Sequence, residues 1–474
     1  MFSRIISWLK GVMAKMLNVR DGSKIAGGVP IAVSSVMADA IQRWHDEYIG
    51  QAYWLNCNRQ SLKLPALIAS EMATLVTLEA KITVSGSARA DWLMEQLKPV
   101  LTNLHTNVEY ACAMGGIVMK PYPDGDKVAI DYIHADDFYP VAFNSRGEIT
   151  SALFVERKTI GQVVYSRVEH HNITDNGYSI TNKCYKGYSA DDIGTEVSLT
   201  EVDEWRDIDP QTNIEHINYP LFSYFRIPLG NSIDPKSPLG VSVYAKAEDN
   251  IKEADYQYQR LLWEYQGGEL AIDASEDVFE MDRFGKAILP TGKERLYRKN
   301  ALSANGQGKG IFDVFSPTLR DASYKTGLNT ILAKIEDQTG LARGTISDPT
   351  QDVRTATEIK MNRQRTYATV TAIQASLQDA LESLVRAMDA VATLYMLNPI
   401  GSYTVSCIWD DSVITDAETE RVRDMQEVRD GIMQKWEYRV KWYGEDEATA
   451  KAMTQEPMTD DEIMGFHKNK ERSE

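Results

Sequence analysis

Hydrophobic positions step at three and four along most of this chain, with one long interruption where they give way to short alternating runs. From about Ser34 to Val100 the spacing predicts helices. Met37, Ile41, Trp44, His45 and Tyr48 share one face, and Leu62 to Leu78 make a second apolar segment. Asp91 to Thr106 reads as further helix, kinked or broken at Pro99. Over residues 108–175 the pattern changes. Gly115-Gly116, Pro121, Pro123, Asp124-Gly125 and Pro140 punctuate short strands such as Lys127–Tyr132 and Ala152–Arg157. A hairpin follows, Val163–Thr174 with Tyr178–Tyr188, joined across Asn176-Gly177, a pair suited to the two positive-φ positions of a type I′ turn.

Beyond the loop Pro228–Pro238 the helical period returns. Val241 to Gln266 lacks Gly and Pro and stops at Gly267-Gly268. Ile251, Ala254, Tyr258, Leu261, Leu262 and Tyr265 form its apolar stripe. Arg320 to Thr339 carries a second stripe of Tyr324, Leu328, Ile331 and Ile335, interrupted by Gly327 and ended by Gly340. Both stripes are narrow, which suits helices packed side by side. The fifty or so residues between them hold short strand-like runs and the loop Asn305–Gly310, so the region reads as a helical hairpin with a small mixed domain at its tip. A polar segment, Ala342–Arg354, leads into the longest feature, Gln351 to Leu397, again without Gly or Pro. Ile359, Arg363, Tyr367, Val370, Ile373, Leu377, Leu381, Leu384, Met388, Val391 and Leu394 step along it. At about 1.5 Å per residue it would reach roughly 60–70 Å, so it needs lateral partners along its length. A strand near Tyr403–Trp409 follows, then a capping-box pattern at Thr415-Asp416-Ala417-Glu418. Helices near Ala417–Met433, Lys435–Tyr443 and Asp446–Met453 close the chain, ahead of a polar tail from about Asp460.

Composition narrows the class. The length of 474 residues predicts two to four structural units. A hydrophobic fraction of 43% with 25% charged residues is an ordinary globular balance. Cys57, Cys112, Cys184 and Cys407 show no CxxC spacing, which disfavours a disulfide framework or zinc site. No apolar run is long enough to span a bilayer. Phe2, Ile5, Ile6, Leu9, Val12, Met13, Met16 and Leu17 form an amphipathic stripe, read as a helix docked on its own protein or a neighbour, with a membrane-surface helix as the second reading. Interspersed lysines and the missing small-residue cleavage site argue against a signal peptide, and no stable membrane association is expected. The net charge of −17 is opposite in sign to that of proteins that grip DNA by its phosphates. It excludes gripping, but not letting DNA slide past.

Candidate chemistry is sparse. His170-His171 is a tempting metal pair, yet adjacent strand residues face opposite ways, so it reads as a surface hairpin pair. Asp136-Asp137 and Asp410-Asp411 read as solvated caps rather than catalytic carboxylates. Gly306-Gln307-Gly308-Lys309-Gly310 lacks the spacing and ending of a phosphate loop. The Asn172-Ile173-Thr174 sequon matters only in a secreted eukaryotic protein. No nucleophile or zinc-protease arrangement occurs. The sequence therefore predicts no catalytic, cofactor or metal residues, and a protein that is not an enzyme.

The ordered parts are more informative than any one motif. Ser237-Pro238-Leu239-Gly240 leads to a helix ending in Trp263-Glu264-Tyr265. After the insert, Leu328-Asn329-Thr330-Ile331-Leu332 runs to Gln338-Thr339-Gly340-Leu341, and Arg354-Thr355-Ala356-Thr357-Glu358-Ile359 heads the long helix. Near the end, Arg429-Asp430-Gly431-Ile432-Met433-Gln434-Lys435-Trp436-Glu437-Tyr438-Arg439 precedes Tyr443-Gly444-Glu445-Asp446-Glu447. This set resembles the portal proteins of tailed bacteriophages, in the branch typical of long-tailed phages of Gram-positive hosts, over nearly the whole chain.

The resemblance implies an α+β, predominantly helical ring subunit with a wing, a stem hairpin, a small mixed α/β clip and a helical crown. Carried over by position, residues 1–235 and 356–414 form the wing, with the long helix as its spine. Residues 236–267 and 319–341 form the stem, 268–318 the clip, 342–355 the tunnel loop and 415–474 the crown and tail. It implies a ring of twelve copies at one capsid vertex, assembled in the host cytoplasm and retained in the virion. Double-stranded DNA would pass through it without sequence specificity. The packaging terminase large subunit and later a head–tail adaptor would dock on it, and major capsid and scaffolding proteins would surround it. Candidate channel residues are then Arg343, Thr345, Asp348, Asp352 and Arg354 on the tunnel loop, with Lys246, Lys252, Arg260 and Lys334 on the stem. The clip cluster Lys293, Arg295, Arg298 and Lys299 is a docking candidate. Two rival readings are another oligomeric virion or scaffold protein and, further off, a metal-dependent nucleic-acid enzyme using Asp136 or Asp410.

Overall fold

The computed structural model describes residues 33–55, 60–78, 80–189, 194–275, 296–300, 312–349, 356–409 and 417–454, with single positions between 279 and 288. The N-terminal stripe, the Gly306–Gly310 loop, Asp410-Asp411, the Thr415 capping box and the polar tail lie outside the described residues, wholly or in the part that mattered. The chain divides into two units, Met1–Trp409 and Asp410–Glu474.

The first unit opens with α1 (Ser35–Tyr48) and α2 (Leu64–Thr77), then β1 (Ala80–Ser85), α3 (Ala88–Thr102) and α4 (Leu104–Met114). Ser34 caps α1 by accepting from the Met37 amide at 3.2 Å, and Ser87 does the same for α3 from Ala90. Helix α3 runs through Pro99 and breaks only at Asn103, one turn later than the proline suggests. Pro99 forfeits one helical bond, the one to the Glu95 carbonyl, and the helix continues because the Pro99 carbonyl still accepts from the Asn103 amide at 3.3 Å.

Three sheets follow from the alternating region and its sequels. Strands β2 (Gly116–Asp124), β3 (Lys127–His134) and β10 (Ser223–Arg226) make one sheet, in the order β10-β2-β3. Between them in sequence, β4 (Phe138–Phe143), β5 (Ile149–Ile160), β6 (Val163–Thr174), β7 (Gly177–Gly187), β8 (Thr195–Val197) and β9 (Gln211–Glu215) make an antiparallel sheet, with β9 added alongside β7. The β6–β7 hairpin is where the sequence placed it, but its turn is not type I′. Thr174 pairs with Gly177, so the two-residue connection is Asp175-Asn176 and Asn176 does not have positive φ. Gly177 instead begins β7 at φ +149°, and a Cβ there would lie 2.2 Å from the Ile214 carbonyl oxygen of β9. The glycine serves a close approach of a third strand, which no local pattern announces.

The helix expected from Val241 also starts later than its periodicity suggests. Residues 241–247 are not helical; Val241, Val243, Tyr244 and Ala247 are buried, and the Val243 amide donates to the Cys112 carbonyl at 2.9 Å. Helix α5 begins at Glu248 (Glu248–Gly267). Strands β11 (Ala271–Ser275), β12 (Tyr297–Asn300) and β13 (Phe312–Phe315) form a small sheet of mixed direction, β12-β11-β13, before α6 (Asp321–Thr339) returns.

Helix α7 (Ala356–Leu394) is 39 residues long, or roughly 58 Å at ~1.5 Å per residue. From Val370 onward its apolar stripe is the centre of the core: Val370, Ile373, Leu377, Leu381, Leu384, Met388 and Val391 are buried, while Tyr367 and Leu394 at the stripe's ends are exposed. It lies on the β10-β2-β3 sheet, where Ser376 Oγ donates to the Arg226 carbonyl at 2.6 Å and Ser223 Oγ to the Ala380 carbonyl at 2.5 Å. Strand β14 (Thr404–Trp409) then pairs antiparallel with β1, from Ala80↔Trp409 to Ser85↔Thr404.

The second unit holds α8 (Ala417–Arg429), α9 (Lys435–Tyr443) and α10 (Glu447–Thr454). Asp424 is its buried polar centre, accepting from Lys441 Nζ at 2.6 Å and Trp442 Nε1 at 3.0 Å. Gln434 and Glu437 form a reciprocal capping box at the start of α9.

Candidate functional site: a helical hairpin and the loop at its base

Helices α5 and α6 pack as a hairpin with little apolar burial. Only Ile251, Ala254 and Leu261 on α5 and Ile335 on α6 are buried hydrophobics. Polar contacts set the register instead. Arg320 forks onto the Glu264 carboxylate at 2.8 and 3.1 Å while its amide donates to the same group at 2.9 Å, and Asn250 donates to Gln338 Oε1 at 2.7 Å. Gly327 is accommodated because Gln257 lies against it, with Nε2 3.1 Å from where a Cβ would stand. Trp263 is 68% exposed, and the stripe residues Tyr258, Leu262, Leu328 and Ile331 are only half-buried.

Towards the N-terminal helices, Asp255 of α5 is buried and accepts from Trp54 Nε1 at 2.9 Å and the Leu62 amide at 2.8 Å. Trp44 Nε1 donates to Glu248, the first residue of α5, and Tyr244 OH donates to the Trp44 carbonyl at 2.7 Å. The Ser237-Pro238-Leu239-Gly240 entry is held by Ser237 Oγ accepting from the Leu239 amide and by Tyr224 OH accepting from the Gly240 amide at 3.1 Å. One end of the hairpin is thus built into the folded body, and its flanks are left half-covered.

At that same end α6 turns into the loop 341–349, which folds back along its own helix. Arg343 forks onto Asp337 at 2.7 and 3.0 Å, and this pairing lowers the Asp337 carboxyl below the usual carboxylate range. Beside it lies a groove of about 860 Å³ lined by residues that include Asn250, Asn329, Lys334, Asp337 and Arg343.

A family model described as phage portal protein, SPP1 Gp6-like, matches residues 58–456. The chain belongs to that portal family. A chain of the neck of a native GTA particle, computed with C12 symmetry, is similar at 12% identity and a TM-score of 0.40, covering 85% of this chain and 92% of its own. No curated protein matches the sequence. As a portal-family member the chain is a head–tail connector component of a phage particle, and the family's role is structural.

The portal fold disperses the residues singled out from sequence. Lys334 and Arg343 share the groove with Asp337. Thr345 is exposed with its hydroxyl donating to the Ala342 carbonyl at 2.6 Å, and Asp348 is exposed with its amide donating to Asn329 Oδ1 at 2.6 Å. Lys246 is exposed, Lys252 reaches Tyr53 OH at 3.3 Å, and Arg260 donates to Gln257 one turn back at 3.4 Å. Asp352, Arg354, Lys293 and Arg295 lie outside the described residues; Arg298 and Lys299 belong to β12, and only their backbone is described.

His170-His171 is not a surface pair. His171 is buried, its Nε2 2.6 Å from Glu169 Oε1 and its Nδ1 2.8 Å from Tyr178 OH, while His170 Nε2 sits 2.8 Å from Ser151 Oγ. Phe154 and Phe222 pack on His171, and Ser151 and Leu153 beside His170 on β5 are buried, so His171 is enclosed and His170 half-buried. Burial would raise the Glu169 carboxyl, but the Lys120 ammonium at 2.7 Å, the His171 bond and Arg167 outweigh it and hold the group well below its ordinary range. Burial pushes His171 down against the pull of Glu169, and burial with the His171 charge pushes His170 to about 4. Among the described residues no group of three His, Cys, Asp or Glu could hold a metal, and no helix is long and apolar enough to cross a membrane.

The pattern along the sequence did not announce the buried charges Glu47, Arg89, Lys120, Glu169, Asp255, Glu336 and Asp424. Each falls at an ordinary polar-looking position, and a place beside an apolar stripe, as for Asp255 next to Ala254 and Glu336 next to Ile335, is the one local hint.

Proposed function

We propose that copies of this chain close into the ring at one capsid vertex through which double-stranded DNA is packaged and later ejected. In this reading α5 and α6 are the stem, residues 268–318 the clip, 342–355 the tunnel loop, α7 the wing spine and 415–474 the crown. Twelve copies is the number the family resemblance implies. The terminase large subunit and then the head–tail adaptor dock on the ring, and capsid and scaffolding proteins hold its rim.

One observation carries the reading beyond family membership: a hairpin of some 20 residues per arm buries only four hydrophobics within its own chain and leaves its stripes half-covered. A lateral neighbour on each side would complete that burial, each Å² of apolar area contributing about 25 cal/mol. The charge fits conduction as well. Each copy adds −17, so the ring's field repels phosphate on average, and Lys246, Lys252, Arg260, Lys334, Arg343 and Arg354 supply weak local contacts. Negative-stain microscopy with native mass measurement tests it. A ring with a central hole is the expected result; a compact monomer at micromolar concentration would overturn the proposal.

A further inference from the structure

Glu336 stands in the last turn of α6 and is fully buried, and among the described residues its carboxylate meets no cation within hydrogen-bond reach. Its partners are the loop that follows. Oε1 accepts from the Ile346 amide at 2.6 Å, the Ser347 amide at 2.9 Å and the Gly344 amide at 3.1 Å, and Oε2 accepts from Ser347 Oγ at 2.7 Å. Successive backbone N–H groups converging on one point form a nest, the arrangement proteins use to hold phosphates and other anions. Here the anion is internal. Two further side chains of the same helix flank it: Asn329 brackets Asp348 by accepting from its amide at 2.6 Å and donating to its carbonyl, and Asp337 holds Arg343. Gly340, which ends α6, lies so close to α7 that an added Cβ would stand 2.7 Å from Thr369 Oγ1.

We infer that Glu336 is a positioning residue, an internal anion that fills the N–H nest of residues 344–347 and makes the base of the loop one body with the stem helix. Without it, the Ile346 and Ser347 amides and the Ser347 hydroxyl would lose their acceptor, and the Gly344 amide would keep only Ser347 Oγ at 3.1 Å, each lost bond costing free energy in a site largely closed to water. With it, the loop base moves only when α6 moves, and its backbone donors are closed to any passing phosphate. The last consequence rests on the portal reading; the clasp itself does not.

Hydrogen exchange on the assembled full-length protein tests the clasp without DNA, so its failure is separable from failure of the portal reading. The amides of Gly344, Ile346 and Ser347 should exchange slowly, as slowly as those in the middle of α6. Glu336→Ala should speed these three by roughly 10- to 100-fold while α6 keeps its protection. Formate at high concentration should restore protection in that variant alone. The near-isosteric Glu336→Gln, which keeps one acceptor oxygen, should fall between and serves if the alanine variant does not fold. Rapid exchange of these amides in the unmodified protein would overturn the proposal outright. So would a loss of protection that spreads along α6 or that formate leaves unchanged, because either assigns Glu336 to packing rather than to anion placement.

Discussion

Arg89 is buried at the head of α3, and each of its nitrogens has a partner near the C-terminal end of α7. Nε and Nη2 reach the Asp389 carboxylate and carbonyl at 2.8 and 2.6 Å, Nη2 also reaches Thr393 Oγ1, and Nη1 reaches the Asn398 carbonyl. Glu47 on α1 is the opposite case. It is 3% exposed, neither carboxylate oxygen has a hydrogen-bond partner, and Glu248 and Asp46 add like charge that Arg43 only partly offsets. Burial first and Glu248 second push its carboxyl up to about 8. The sign follows: the folded state holds this proton more tightly than the unfolded chain, so Glu47 costs nothing below about pH 4.5 and weakens the fold progressively as pH rises towards 8. Glu47→Gln should therefore stabilise more at pH 8.5 than at pH 4.5, by on the order of 1–3 kcal/mol. Denaturant melts at pH 4.5 and 8.5 check it, and a gain independent of pH would refute the burial account. Neither residue was legible in the sequence. Arg89 follows a serine cap and Glu47 borders an apolar face, and what buries each arrives from another part of the chain.

Elements were far more legible than residues where their signals are local. Three-four stepping marked α5, α6 and α7, joined in α5 and α7 by the absence of Gly and Pro, and Gly340 and Gly267-Gly268 marked ends. Signals supplied by distant backbone were not legible: the Cys112 carbonyl takes the Val243 amide and delays α5, and β9 decides what Gly177 is for. Helix α7 packs against the β10-β2-β3 sheet, β14, α2 and α3, and Val370 is buried where its core-facing stretch begins. Val370→Pro should cost about 3 kcal/mol or more by removing a helical hydrogen bond and abolish ring assembly. Leu381→Met, which keeps core volume, should cost under about 1.5 kcal/mol and leave rings intact. Size-exclusion profiles of the two variants check the contrast, and intact rings from the proline variant would remove α7 from its central role.

At the scale of the whole molecule, charge is distributed against its own average. The chain carries −17, yet Lys293, Arg295, Arg298 and Lys299 crowd into one stretch of seven residues. We expect Arg295→Glu with Arg298→Glu to leave ring formation unchanged and to weaken docking of the packaging motor or the adaptor by roughly 10-fold or more, since partner charges select and steer association. Binding that survives the double reversal would assign the cluster to a solvated surface. The order of the parts made the family legible from sequence, whereas the pairing of β1 with β14 was not, because nothing in either strand names its mate. That pairing also sets a schedule. Ser87 waits for Ser402, 315 positions later, and Arg89 waits for Asp389. At about 5–20 residues per second of synthesis, the first helices spend roughly 15–60 seconds without the strand and helix that cover them. The subunit therefore cannot complete its fold piecemeal at the ribosome, and a nascent chain is kept from joining a ring until almost all of it exists.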